Sequence, residues 1–264
     1  MELGPLAARA LSVRVFVEPS ALAQGALQVV GEEHHYLTRV RRQEVGAAIC
    51  LLDGEGHWAD AEITAIEEHS TTVSVALPQQ IRPATFSLGV APALIKGERM
   101  DQAISKMVEL GVQRISPLTT EHTIVRLVGE RATRRLARFR SVCKAAARQS
   151  RNARPPAIDP IRSFEDFLAQ APQAELKLIP ETASGNAPPL AQVLPTTPPR
   201  SAVALIGPEG GFSTAELARA KDAGFTPVSL GPRILRAETA CISITAMLMF
   251  RYGDLGLIHS DGAP

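Results

Sequence analysis

Two glycine- and proline-bearing segments near the C-terminus constrain this chain more than any other feature. They are Leu205-Ile206-Gly207-Pro208-Glu209-Gly210-Gly211-Phe212 and Leu230-Gly231-Pro232-Arg233-Ile234-Leu235-Arg236-Ala237-Glu238-Thr239-Ala240. Each follows a short apolar run that reads as a buried strand, and each leads into a helical pattern. Between them, Ser213 and Glu216 stand at capping-box spacing, ahead of a helix that Gly224 ends. Glycine beside proline permits sharp turns that leave peptide N–H and C=O groups open to a ligand. Two such loops at strand ends of an α/β pattern can together grip one flat small molecule. Spacing alone leaves a second reading open, two tight turns in a compact domain. Neither segment reads G-x-G-x-x-G or G-x-x-x-x-G-K-[ST], so dinucleotide and triphosphate cradles are not indicated.

Upstream, the text falls into two grammars. Residues 1–12 read as a loose extension. From Val13 to about residue 78, "VRVFV", the two halves of "AAICLLDGEGHWADAEITAI" around Asp53-Gly54-Glu55-Gly56, and "TTVSVAL" read as short strands. That density of strands and turns predicts a small barrel. Glu32 to Arg42 interrupts it as a short helix with a basic end, where Arg39, Arg41 and Arg42 either contact phosphate or simply suit the helix dipole. The adjacent His34 and His35 do not share a ligand easily on a helix, so one is expected to be packed or hydrogen-bonded and no metal site is expected.

Gln79 to Pro83 reads as a linker. Beyond it, the strand "FSLGVAPAL", a helix opened by Lys96 to Asp101 and closed by Gly111, and a strand at Val112 to Ile115 form the repeating unit of a parallel sheet. Met100, Ile104 and Met107 or Val108 mark the buried face of that helix. Lys106 and Glu109, three apart, predict a surface ion pair, with contact of Lys106 to a phosphate as the alternative. After a helix to Ala169 and a strand at Leu176 to Pro180, six prolines among residues 180–200 rule out a regular core element. The last helix, Arg236 to Tyr252, is apolar almost all round and belongs inside the domain or against a second subunit.

Charge is distributed unevenly. Between Arg126 and Arg154 ten cations face one acid, Glu130. That local +9 leaves −8 for the rest of a chain whose total is +1. On a helical wheel Ala132, Leu136, Phe139, Val142, Cys143 and Ala146 share one arc. Arg134, Arg138, Arg140, Lys144 and Arg148 fall outside it. An amphipathic helix with a cationic outer face points to a polyanion partner and salt-dependent binding. Aromatic residues, at 4%, are too few for extended base-stacking platforms. Cys50, Cys143 and Cys241 are too widely spaced for a local metal knuckle and suggest no disulfide framework. No secretory signal or membrane-spanning run is evident, so a cytoplasmic protein is expected.

These residues also carry a resemblance. "LIGPEGGFS" followed by "LGPRILRAETA" resembles the RsmE family, 16S ribosomal RNA methyltransferases of the SPOUT superfamily. "HHYLTRVRR" is similar to that family's N-terminal HH-L-x-x-V-L-R motif, with Arg41 at the usual leucine position. "KGERMDQAISKMVELGV" resembles another of its runs. Ala146 to Pro156 is similar to its E-A-x-x-Q-x-x-R…P motif, with Gln149 and Arg151 matching and Lys144 where an acid is common.

The resemblance implies an α/β fold. A small PUA-like RNA-binding β-barrel domain (13–78) would precede a SPOUT domain (84–258), whose parallel sheet is flanked by helices and whose C-terminal part is tied in a deep trefoil knot. It implies methyl transfer from S-adenosylmethionine to N3 of a uridine, uridine 1498 of 16S rRNA in the 30S subunit, by a homodimer. Carried over by motif, Leu205, Ile206, Gly207, Pro208, Glu209, Gly210, Gly211, Leu230, Gly231, Ile234, Leu235, Thr239 and Ala240 hold the cofactor. Arg236 and Glu238 act on the uracil, unless they form only a structural ion pair. Arg39, Arg41, Arg42, Arg138, Lys144, Arg148 and Arg151 are the RNA-binding candidates. Two rival functions remain open at this level: a SPOUT methyltransferase acting on tRNA or another rRNA base, and a non-catalytic RNA-binding assembly factor.

Overall fold

The computed structural model describes residues 13–81, 84–125, 127, 129–170, 173–181 and 187–256. The N-terminal extension, Arg126 at the head of the basic segment and the end of the second expected domain lie outside the described residues. Among those described, residues 13–81 and 147–155 form one compact unit, and residues 84–146 and 156–256 a second.

The first unit is a six-stranded sheet. Its strands are β1 (Val13–Phe16), β2 (Gly25–Val30), β3 (Ala48–Leu52), β4 (His57–Ile66), β5 (Ser70–Val75) and β6 (Gln79–Gln80). The order is β1-β3-β4-β5-β2, with β6 added to β4. Val13 and Val15 from one end of that path and Val29 from the other join a single apolar cluster with Leu37, Leu51, Ile63 and Val73. The sheet therefore curves around its core, as barrel-forming sheets do. Two elements differ from the sequence reading. β2 was not visible, because its side chains are mostly exposed and show little alternation. Gln79 and Gln80, read as linker, pair with Trp58 and His57.

Helix α1 (Gly31–His35) continues as a single π-helical turn at Tyr36–Val40, and Arg42 leaves it with φ 50°. Residues 147–155, inside the range expected for the second domain, are held in the first unit by specific contacts. Ala153 is buried with Cys50, Leu52 and Trp58. Arg154 donates from Nε and Nη2 to the Glu55 carbonyl.

The second unit carries a parallel sheet of order β10-β8-β7-β13-β12-β14, from β7 (Ser87–Pro92), β8 (Arg114–Ile115), β10 (Ala157–Ile158), β12 (Leu176–Pro180), β13 (Ser201–Ile206) and β14 (Thr226–Val228). A smaller parallel pair joins β9 (Leu118–Thr119) to β11 (Arg162–Ser163). β13 is buried along its whole apolar run, as expected for a strand covered on both faces. One face packs Phe164 and Phe167 of α4 (Phe164–Ala169) and Ala220 of α6 (Thr214–Asp222) against Val203 and Leu205. On β7 and β13 also packs α7 (Ala237–Tyr252), which lies against α2 (Arg99–Glu109). In α2 the predicted stripe Met100, Ile104, Met107 and Val108 is buried, and Gly111 closes the helix at φ 89°. The long helix α3 (Glu130–Ser150) buries Phe139, Cys143 and Ala146, as its wheel predicts. The proline-rich stretch holds one turn of helix, α5 (Leu190–Val193).

The β3–β4 turn stands on Asp53, which is buried. Its Oδ1 accepts from the N–H groups of Glu55 (2.7 Å) and His57 (2.8 Å), and its Oδ2 lies 2.6 Å from His57 Nδ1. Burial pushes the carboxyl up, but the two backbone donors and the imidazole outweigh it and hold Asp53 below the ordinary carboxylate range. A carboxyl depressed on folding stabilises above its unfolded pKa, and that stability is lost as pH falls through the folded value. Asp53→Asn is therefore expected to lower Tm at neutral pH and to flatten the acid limb of a Tm-versus-pH titration below about pH 4. Differential scanning calorimetry of the two proteins measures this.

Candidate active site

Parallel register places both glycine–proline loops at one edge of the sheet. Leu178 of β12 pairs with Ala204 on one side and Thr226 on the other, so β13 and β14 end level, at Ile206 and Val228. With only β12 between them, and strands spaced by about 4.8 Å, the two loops leave the sheet about 10 Å apart. That edge is where open α/β sheets bind ligands.

The first loop turns through a bond from Gly211 N–H to the Pro208 carbonyl (2.9 Å), with Gly211 at φ 69°. A Cβ on Gly207 would come within 3.1 Å of the Phe212 ring, which is buried against Phe164. Glycine here lets the aromatic fold under the loop. Leu205, Ile206 and Pro208 are buried, whereas Glu209 and Gly210 are exposed. Glu209 is not idle, since Arg99 at the start of α2 holds its carboxylate at 3.0 Å.

The loop passes into α6 through the predicted capping box. Ser213 Oγ accepts from Glu216 N–H (3.3 Å), and Glu216 Oε2 accepts from Ser213 N–H (2.9 Å). The Glu216 side chain has a second partner. Its Oε1 accepts from the Glu121 N–H at 2.9 Å, tying the turn after β9 to the loop. Glu216 is 3% exposed.

The second loop carries Gly231 at φ 128°, and Ser229 is tied to the proline-rich stretch through Ser229 N–H to the Pro188 carbonyl and Leu190 N–H to the Ser229 carbonyl. Leu230 and Leu235 are half-buried, and Ile234 is 87% exposed. Arg236 is the N-cap of α7, and Glu238, Thr239 and Ala240 lie in its first turn. Sequence allowed Arg236 and Glu238 to be a structural ion pair. They are not paired, and among the described residues neither side chain has a hydrogen bond or salt bridge. Glu238 Oε2 is buried without a partner, a costly state in an unliganded protein. Its charge, after burial itself, helps push the Cys241 thiol up to about 12, and burial alone takes Cys143 up to about 12. Both thiols stay protonated, which removes them as nucleophiles.

The cationic candidates are distributed over both units. In the first, Arg39, Arg41 and Arg42 are exposed, and Arg39 lines an open cleft of about 370 Å³ with His34, His35, Glu68 and His69. His34 is the committed histidine of the pair, with Nδ1 2.8 Å from Thr71 Oγ1. Arg148, placed by the wheel on an outer face, is instead largely buried. Its Nη2 donates to both Glu33 oxygens at 2.6 and 2.8 Å, and its guanidinium lies 4.0 Å over the Tyr36 ring. Arg42 and Arg151 are the non-glycine residues with positive φ among those described, a strained state that clusters at functional sites. In the second unit Arg138 is exposed but bonded to Asp101 (3.0 Å), which Arg135 also approaches. Lys144 is half-buried. Lys106 forms the predicted pair with Glu109 at 2.7 Å.

Sequence reasoning missed His122 and Arg99. Neither stands in a glycine-rich segment, and only tertiary contact brings them to the first loop. His122 Nδ1 lies 3.1 Å from the carbonyl oxygens of both Gly210 and Gly211.

A strand-edge site with backbone-lined loops, a free arginine and an unpartnered carboxylate defines a ligand-binding α/β enzyme domain accompanied by a small β-domain. Residues 82–249 match the family model of an RNA methyltransferase domain, and residues 31–75 that of an RNA methyltransferase PUA domain. The chain is 31% identical over 232 residues to ribosomal RNA small subunit methyltransferase E of Synechocystis, covering 87% of this chain and 75% of that protein. It is likewise 31% identical over 222 residues to the protein of the same name from Mycobacterium bovis, covering 82% of this chain and 83% of that one. Among solved structures, ribosomal RNA small subunit methyltransferase E of Neisseria gonorrhoeae bound to S-adenosylmethionine superposes with a TM-score of 0.84 at 31% identity, covering 92% and 99% of the two chains. The chain belongs to the ribosomal RNA small subunit methyltransferase E family of RNA methyltransferases.

Glu216 is expected to carry the first loop's geometry. Glu216→Ala removes a buried acceptor for two backbone N–H groups and leaves both donors unmet. Hydrogen bonds to a charged group contribute about 1.5–3 kcal/mol each. A loss of at least about 2 kcal/mol in urea unfolding is predicted, with m unchanged.

Proposed function

We propose that this protein is an S-adenosylmethionine-dependent methyltransferase acting on N3 of a uridine, uridine 1498, in 16S rRNA of the small ribosomal subunit. The observation that carries this reading is the pairing of the strand-edge loops with two uncommitted side chains, Arg236 and Glu238, in a chain of this family. We assign the first unit, residues 13–81 with 147–155, to RNA binding and the second, residues 84–146 and 156–256 with a trefoil-knotted C-terminal part, to methyl transfer.

The residues suit the cofactor. At Gly211 and Gly231 nothing lies within 4 Å of where a Cβ would stand, so both backbones are open to a ligand. The orphaned Glu238 oxygen calls for a hydrogen-bond donor. Leu205 to Gly211, Leu230, Gly231, Ile234, Leu235, Thr239 and Ala240 would hold S-adenosylmethionine, largely through peptide groups. When bound, it supplies an electrophilic methyl group on a sulfonium. Because that methyl is already activated, the protein has to place N3 in line and manage the departing proton. Arg236, exposed and without a partner, stabilises the negative charge that spreads over the uracil as N3 loses its proton. Glu238 accepts that proton or orients Arg236.

Arg39, Arg41, Arg42, Arg138, Lys144 and Arg151 would meet RNA phosphate, while Arg148 acts through its bond to Glu33, ordering the segment that bears Arg39. Ile234 in the second loop and Met247 and Phe250 toward the C-terminal end of α7 are 87%, 41% and 72% exposed, apolar surface that supports a homodimer. Among the described residues no helix is long and apolar enough to cross a membrane; the proposed substrate, a ribosomal subunit, would place the protein in the cytoplasm.

The test is transfer of labelled methyl to 30S subunits lacking the modification, followed by nucleoside analysis. 3-Methyluridine in 16S rRNA is expected, with Arg236→Ala lowering kcat at least 10²-fold, the scale of losing one charge-stabilising donor. Another methylated nucleoside would move the substrate, and no transfer despite cofactor binding would leave an assembly factor.

A further inference from the structure

The first loop does not hold its shape alone. Its Gly210 and Gly211 carbonyls both face Nδ1 of His122 at 3.1 Å. Carbonyl oxygens only accept, so Nδ1 carries the proton and donates to both. The approach is close throughout, since a Cβ on Gly210 would stand 3.1 Å from His122 Cβ.

His122 is itself held from both sides. The preceding residue, Glu121, gives its N–H to the buried Glu216 carboxylate. The following residue, Thr123, is buried, and its hydroxyl accepts from Thr120 N–H at 2.9 Å while its own N–H reaches the Thr120 carbonyl. The imidazole thus projects from a closed turn with its own hydrogen bonds, and its ring is exposed. An exposed side chain that spends its donor on two loop carbonyls contributes little to a core, so its effect falls on the loop.

That effect follows from peptide geometry. In a trans peptide the carbonyl and the next residue's N–H point in opposite directions. With the Gly210 and Gly211 carbonyls turned toward His122, the N–H groups of Gly211 and Phe212 are turned away from it. Gly211 N–H closes the turn on Pro208. Glycine at both positions leaves these peptides free to flip unless something fixes them.

We propose that His122 is a positioning residue for the methyl-donor site, fixing the two peptide planes of Gly210 and Gly211 so that the loop is preorganised for S-adenosylmethionine. The inference rests on the cofactor site assigned above, and it adds a residue that no glycine-rich motif contains. Preorganisation acts on affinity by removing the cost of ordering the loop at binding.

The experiment is isothermal titration of S-adenosylmethionine into the full-length protein and its His122→Ala, His122→Asn and His122→Asp variants, with Tm measured for each. The Asn amide nitrogen occupies nearly the place of Nδ1 and can donate to the same carbonyls. Asp has the same shape but presents only acceptors to them. Expected results are about tenfold weaker binding for Ala, the scale of losing one or two modest hydrogen bonds, within about twofold of wild type for Asn, and weaker binding for Asp than for Ala. Tm should stay within about 2 °C throughout, because an exposed residue is replaced.

Unchanged affinity in His122→Ala, equal losses in Asn and Asp, or an affinity loss that tracks a fall in Tm would each overturn the proposal. Failure of the wild-type protein to bind S-adenosylmethionine would instead overturn the cofactor assignment, so the two failures are distinguishable.

Discussion

The carboxylate of Glu216 is the contact on which the site's geometry depends. It is 3% exposed, lies in the first turn of α6, and receives N–H groups from Ser213 beside it and from Glu121 ninety-five positions away in sequence. A buried carboxylate is costly unless its oxygens are met. Here backbone donors meet both oxygens, and the helix N-terminus favours the charge further. One side chain therefore starts a helix, ends a glycine-rich loop and fixes the neighbouring turn. Removing it would leave two backbone donors unmet, Ser213 N–H at the junction of loop and helix and Glu121 N–H in the turn.

From this contact the rest of the site follows by register. β13 and β14 flank β12 and end level, so their loops share one edge of the sheet. Each loop uses glycine where φ is positive, and each is steadied from outside itself. Arg99 and the 120–123 turn hold the first, and the proline-rich stretch at Pro188 and Leu190 holds the second. Arg236 and Glu238 are left uncommitted. By contrast, Asp53 in its turn and Arg148 on Glu33 have their charges met by opposite or hydrogen-bonding partners. Unspent polar groups beside two open loops are what the proposed ligand site rests on.

Much of this was legible in the sequence, and what was not has a common cause. The α/β alternation, the strand at Leu176 to Pro180, the capping box and the stripe of α2 all rest on contacts within a few residues, which periodicity and cap chemistry report directly. β2 escaped because it is mostly exposed and its alternation is weak. His122 escaped because its partners lie 88 and 89 positions away and nothing local distinguishes it. Arg148 was misplaced for a similar reason. A helical wheel shows which residues share a face, but Glu33, 115 positions earlier, decides that this cation is buried.

The central claim, that both glycine–proline loops form one methyl-donor site, is tested most directly by hydrogen–deuterium exchange with and without S-adenosylmethionine. The account predicts slowed exchange confined to peptides covering residues 205–212 and 229–240, with a smaller effect at 120–123. Protection of only one loop, or protection elsewhere with both loops unchanged, would contradict it.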